Sequence, residues 1–218
     1  MKLTHCIRRS TLTEQAAPLL LMLHGFGSNE ADLIGLAPYL DPRFTIVSAR
    51  APYTLGIGSY AWFELQFSPQ GQVVGRNMQQ AESSRVNIAE FIGEVGQTYN
   101  INPKQVYLMG FSQGAMMSAY VALTRPELLA GAVLMSGSVL PEWQPTASTV
   151  LALKQLPIIV THGTEDTILP IHHGRNSQKI LSALNVPLEY HEYEMGHTIS
   201  EESLSDIDLW LAHHLDKG

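Results

Sequence analysis

Ser112 stands in the run Gly110-Phe111-Ser112-Gln113-Gly114, a serine with a glycine two residues away on either side. A serine hydroxyl is a weak nucleophile at neutral pH; it needs a histidine base, and the histidine needs a carboxylate to orient it. The spacing suits that chemistry. A nucleophilic serine on a sharp strand-to-helix turn holds a strained backbone conformation, and the neighbours two residues away must lack side chains to avoid collision. Gly110 and Gly114 meet that demand, and the small Ala115 lets a following helix close on the strand. On such a turn the partners follow in the order serine, acid, histidine. Downstream, the apolar run at 157–161 leads into His162-Gly163-Thr164-Glu165-Asp166, and the run at 188–193 leads into Met195-Gly196-His197. Asp166 is the expected acid and His197 the expected base. Glu165 competes with Asp166, whereas Asp206 and Asp208 follow His197, against the order, and read as the polar face of a helix.

Acyl transfer also needs two backbone N–H groups aimed at the oxyanion of the tetrahedral intermediate. One belongs to the residue after the nucleophile, Gln113. The other comes from the turn after an earlier strand, where Leu23-His24-Gly25-Phe26-Gly27 follows PLLLML and makes Phe26 the expected donor. His24 and His162 read as holders of local hydrogen bonds. The connection at 51–77 is long, glycine-rich and aromatic, and a structureless stretch of that length in a compact domain is usually functional. Within it, Trp62 and Phe63 are candidate substrate-binding residues, and together with Phe67 they could line an acyl groove or seal the sheet edge beneath the loop.

These residues must be positioned by something regular. Apolar, partly β-branched runs at 19–23, 44–48, 105–109, 130–135, 157–161 and 188–193 read as strands, and most of them are continuously apolar, the signature of strands buried on both faces of a parallel sheet. Segments of helical spacing at 30–39, 78–99, 114–125, 174–184 and 201–215 punctuate them almost one for one. Asn29 is a candidate cap for the first of these helices, Asn102-Pro103 separates the second from its strand, and Pro126 stops the third. The order is that of an α/β protein with a mostly parallel sheet and helices on both faces. All three catalytic candidates then fall at strand C-terminal ends, the edge where open α/β sheets gather their ligands. The stretch at 136–155 is too short for a separate cap domain, so open access is expected.

The chain has 218 residues, which suits one domain spanning 1–218, and its 45% apolar and 15% charged content exclude disorder. Thirteen basic residues against 20 acidic ones give a net charge of −7, with no basic cluster, so nucleic acid is not an expected partner. No apolar run approaches the roughly 20 residues of a transmembrane helix, and the first residues lack the apolar core of a signal peptide. The single cysteine, Cys6, cannot form an intrachain disulfide, which fits a reducing compartment and a cytoplasmic location. Adjacent histidines at 172–173 and 213–214 are poor ligand pairs compared with an i, i+4 spacing, so no metal is expected, and the serine chemistry needs no cofactor.

LHGFGSN, GFSQGA, HGTEDTILP and the later MGH together resemble the phospholipase/carboxylesterase family of α/β-hydrolases, which includes acyl-protein thioesterases. The resemblance covers nearly the whole chain. It implies an α/β-hydrolase fold without a large cap, Ser112, Asp166 and His197 as a triad, and the amides of Phe26 and Gln113 as the oxyanion hole. It further implies a small-molecule ester or thioester substrate, lysophospholipids among them, and a homodimer as a common assembly. The chain departs from the familiar pattern in having Phe26 where leucine is common, and in continuing WF as WFELQF where an aspartate often follows. The alternatives are an acyltransferase or peptidase using the same triad, and a non-catalytic binding protein on a hydrolase fold.

Overall fold

The computed structural model describes every residue except 14, 72 and 218; the second of these falls inside the connection at 51–77. In chain order the elements are β1 (His5–Arg8), β2 (Ala17–Leu23), a 3-10 helix (Leu33–Tyr39), β3 (Thr45–Ala49), β4 (Tyr53–Gly56), β5 (Ser59–Ala61), β6 (Leu65–Phe67), β7 (Val73–Arg76) and α1 (Met78–Tyr99). Then follow β8 (Ile101–Phe111), α2 (Gln113–Thr124), a short 3-10 turn (Pro126–Leu128), β9 (Gly131–Met135), α3 (Ala147–Leu153), β10 (Ile158–Gly163), α4 (His172–Ala183), β11 (Leu188–Tyr193) and α5 (Glu201–Lys217). Seven strands form one sheet in the order β1-β3-β2-β8-β9-β10-β11, all parallel except β1 against β3. The expected α/β architecture is borne out.

Both faces of the sheet's inner strands are buried. Leu19, Leu21 and Leu23 of β2 pack on the side of α1, α2, α3 and α4, whereas Leu20 and Met22 pack on the side of α5 and the first 3-10 helix. Alternate residues of a strand point to opposite faces, so a strand covered on both sides must be apolar throughout. α1 presents Ala81, Ile88, Phe91, Ile92 and Val95 as a buried stripe at helical spacing; full burial of one such large side chain contributes about 1.5–3 kcal/mol. Its ends are marked chemically. The Asn77 side chain accepts from the Gln80 N–H, and Asn100 closes the helix in the left-handed region at φ 54°.

Several expectations are corrected. The helix expected at 30–39 is a 3-10 helix that begins only at Leu33, so Asn29 caps no helix; its side chain instead accepts from the Ala31 N–H and donates to the Gly58 carbonyl. Asn102-Pro103 does not separate helix from strand, because β8 already starts at Ile101. The pairing jumps from Ala17↔Ile101 to Leu19↔Val106, and the extra residues bulge out around an Asn102 side chain that accepts from the Lys104 N–H. The connection at 51–77 is not structureless: it folds into two antiparallel hairpins, β4–β5 and β6–β7. β1, an edge strand of only four half-buried residues, lies outside the apolar runs because it contains little apolar sequence.

Candidate active site

The parallel register brings four chain turns to one edge. Leu23 pairs with Gly110, Phe111 with Met135 and Gly163 with Tyr193, so the segments leaving β2, β8, β10 and β11 emerge side by side. Ser112, between β8 and α2, has φ 53° and ψ −114°, a backbone region that a side-chain-bearing residue occupies only under strain. The flanking glycines are required by contact. A Cβ on Gly110 would run into the Gly114 carbonyl, and one on Gly114 into the Leu23 carbonyl, both main-chain atoms that cannot swing aside.

His197 Nδ1–H donates to Asp166 Oδ2 at 2.7 Å, and Ser112 Oγ–H donates to His197 Nε2 at 2.9 Å. A carboxylate can only accept, so the carboxylate partner fixes the proton on Nδ1 and leaves Nε2 as the acceptor facing the serine. Asp166 is wholly withdrawn from solvent, and its other oxygen accepts the N–H groups of Ile168 and Leu169 at 2.9 and 2.7 Å. Glu165 is exposed. Asp206 accepts from the Tyr193 hydroxyl and Asp208 from the Asp41 N–H, so neither competes for His197. Behind Asp166, the buried His162 Nε2–H donates to the Leu169 carbonyl at 2.6 Å and lies 3.5 Å from the Asp166 carboxylate. It supports the segment that carries the carboxylate.

The turn after β2 runs against the serine: a Cβ on Gly25 would lie 3.5 Å from Ser112 Cβ. The backbone N–H groups of Phe26 and Gln113 have no acceptor among the described residues. They are free donors beside a candidate nucleophile. His24 steadies this turn. Its Nδ1–H donates to the Gly25 carbonyl at 2.7 Å, and its Nε2 accepts the Ala51 N–H at 3.1 Å. Burial lowers its pKa below the ordinary histidine value, which favours the neutral ring those two bonds require.

Trp62 and Phe63 are fully buried, at 0% exposure, so neither lines an open groove. Of the two alternatives, their burial supports the sealing one. The cause is a clamp that no short-range signal reveals: Gln113 Oε1 accepts the Trp62 N–H at 2.8 Å, and Gln113 Nε2–H donates to the Phe63 carbonyl at 2.7 Å. Trp62 Nε1–H then donates to the His24 carbonyl at 2.9 Å. Two side chains, Gln113 and Trp62, thus tie the serine turn, the Phe26 turn and the long connection together. The open face is formed by other residues. A cleft of about 440 Å³ is lined by Phe26, Leu55, Leu65 and Met78, and the half-exposed Phe67 meets Phe26 edge-on at 6.0 Å. Phe67, expected with Trp62 and Phe63 to line a groove or seal the sheet edge, is the one of the three that stays exposed beside the cleft, whereas Leu55, Leu65 and Met78 were not singled out by type or spacing and only the hairpin fold brings them there.

Comparison with known proteins gives a consistent answer. The profile of the family described as phospholipase/carboxylesterase matches residues 10–215. Acyl-protein thioesterase 1 of Kluyveromyces lactis is 27% identical over 227 aligned positions, covering 97% of this chain and 98% of that protein. Carboxylesterase SOBER1 of Arabidopsis thaliana is 30% identical over 120 residues, 52% of this chain, and the match spans only 50% of that protein's length. Among solved structures, that of esterase PE8 superposes with a TM-score of 0.82 at 25% identity, over 98% of this chain and 99% of the other. No helix among the described residues is long and apolar enough to cross a membrane.

Proposed function

This chain belongs to the phospholipase/carboxylesterase family of α/β-hydrolases, and from that premise we propose that it is a serine carboxylesterase acting on small to medium acyl esters, and on thioesters of the same size. Ser112, His197 and Asp166 are its triad. The observation that carries this reading is the continuous pair of hydrogen bonds, Ser112 Oγ to His197 Nε2 and His197 Nδ1 to Asp166, at 2.9 and 2.7 Å.

In this reading His197 Nε2 takes the Ser112 proton as Oγ bonds to the carbonyl carbon, and the carbonyl oxygen becomes an oxyanion held by the N–H groups of Phe26 and Gln113. Such donors are each worth about 10²–10³ in rate. The tetrahedral intermediate collapses, the bond to the leaving oxygen or sulfur breaks, and that atom receives the proton from Nε2. Water then repeats the sequence on the acyl-serine, giving its proton to Nε2 and releasing the carboxylic acid. Asp166 keeps Nδ1 protonated and stabilises the imidazolium of each half-reaction. The half-exposed Ser112 and the cleft beside Phe26 support access for a small substrate. The same reading takes residues 1–218 as one catalytic domain and assigns it to the cytoplasm, in keeping with the unpaired Cys6.

The test is hydrolysis of p-nitrophenyl esters of increasing acyl length by the wild type and Ser112→Ala. The wild type should show a rate optimum at some length, and the variant should lose at least about 10³-fold in kcat. A variant retaining activity within tenfold would remove Ser112 from the chemistry.

A further inference from the structure

Arg76, the last residue of β7, is an arginine without a partner. Every other arginine has one: five face carboxylates, Arg8 donates to main-chain carbonyls, and Arg9 lies over the Tyr99 ring. Among the described residues the Arg76 side chain has neither an ion pair nor a hydrogen bond, and its Nε is buried with no acceptor. A guanidinium is charged at any physiological pH and carries five donors in a fixed planar fork. The exposed Glu64 lines the same cleft as Arg76, yet no ion pair joins the two among the described residues.

Its position gives the vacancy a use. Arg76 borders the cleft at Phe26 and also a second cleft of about 460 Å³ that contains Ser138, Leu140 and Lys179. Each cleft abuts a direct neighbour of the Ser112 backbone. Phe26 follows Gly25, whose Cβ position is 3.5 Å from Ser112 Cβ; Ser138 follows Gly137, whose Cβ position is 3.1 Å from the Ser112 carbonyl oxygen. His173 borders the second cleft as well, and burial, reinforced by His172, His162 and Arg76, lowers its pKa and favours the neutral ring. The remaining charges of that cleft are Lys179 and Glu142, both exposed.

We infer that Arg76 is a specificity residue that grips a carboxylate or phosphate group on the substrate, so that the esters this protein prefers are anionic, with the charge a few atoms from the scissile carbonyl. The inference rests on the hydrolase reading above and narrows it from esters in general to acid-bearing ones. The planar fork matches either oxyanion in a bidentate fashion, and an anion there would satisfy the buried donor that the fold leaves open. Lys179, which lines the second cleft with Arg76, would add a second positive charge.

The test uses two matched pairs. In the first, p-nitrophenyl pentanoate is set against the p-nitrophenyl monoester of glutaric acid, which puts a carboxylate on the acyl arm. In the second, a monoacylglycerol is set against the corresponding acylglycerol phosphate, which puts a phosphate on the leaving group. In at least one pair the anionic member should be favoured, and Arg76→Gln should lower its kcat/KM relative to the neutral member by about 10- to 100-fold, mainly through KM. Arg76→Lys should restore part of that ratio. Because the Arg76 side chain makes no hydrogen bond or ion pair within the fold, the variants should melt within a few degrees of the wild type. Ratios unchanged within about twofold in both pairs would overturn the inference. Calorimetric titration of Ser112→Ala with glutarate and inorganic phosphate, with and without Arg76→Gln, reads the anion site without turnover. Binding that depends on Arg76 in a protein that hydrolyses none of the esters would sink the esterase reading and leave the anion site standing. Hydrolysis with an unchanged ratio would do the reverse.

Discussion

Two regions meet at the mouth of the candidate site, and they are held in opposite ways. Around Ser112 the side-chain groups are tied down: Asp166 takes three hydrogen bonds, His24 two, and Gln113 bridges two strangers in sequence, Trp62 and Phe63. The hairpins β4–β5 and β6–β7 are the contrary case, short and irregular in register, with Ile57, Phe67, Val73 and Val74 facing solvent. A reacting centre needs its groups fixed before substrate arrives, because reorganisation during the reaction subtracts from transition-state stabilisation. A surface that selects among acyl or leaving groups needs only to present apolar area and one or two charges. The contrast assigns chemistry to the sheet edge and selectivity to the hairpins.

Three substitutions would break or sharpen that contrast. The largest effect belongs to Gly114→Ala, whose methyl would run into the Leu23 carbonyl. Since main chain must move to admit it, the loss should reach about 3–5 kcal/mol, read as the shift of the urea midpoint; an unchanged midpoint would mean the turn is looser than described. Next comes Gln113→Ala. It leaves the buried Trp62 N–H and Phe63 C=O unmet, at about 1–3 kcal/mol each, and should depress stability and kcat together because the Phe26 turn hangs on the same network. Loss of stability with kcat intact would separate the clamp from the chemistry. Smallest is Phe67→Ala on the hairpin arm, which should change stability by no more than about 0.5 kcal/mol and shift the preferred acyl length by a few-fold in relative kcat/KM. Equal losses on all chain lengths would tie the arm to the chemistry instead.

What the sequence disclosed follows the range over which its signals act. The buried strands were legible because burial on two faces demands uninterrupted apolar runs, and α1 was legible over Met78–Tyr99 through its helical spacing, although Asn77 and Asn100, which cap it, were not singled out and the end marker read from the sequence was Asn102-Pro103 instead. The serine turn announced itself through Gly110 and Gly114, a demand imposed by atoms only a few residues away and by the Leu23 carbonyl. The hairpins at 53–76 were not legible: their strands are three or four residues long, with register shifts at Thr54/Gly56 and Gln66/Phe67 that erase any period. Trp62 and Phe63 were ambiguous for a related reason, since the Gln113 side chain that buries them lies about fifty residues on. Choosing between the neighbours Glu165 and Asp166 likewise required three dimensions, because only one of them faces His197. Arg76 left no trace in the sequence, where nothing distinguishes an unpaired arginine from a paired one.

The central claim is that Ser112 is a nucleophile activated by His197. It is tested most directly by treating the folded wild type, Ser112→Ala and His197→Ala with a fluorophosphonate and locating the adduct by peptide mass spectrometry. The account predicts a stoichiometric adduct on Ser112 in the wild type, none in Ser112→Ala, and labelling slowed by at least about 10²-fold in His197→Ala. An adduct on another residue, or equal labelling without His197, would contradict it.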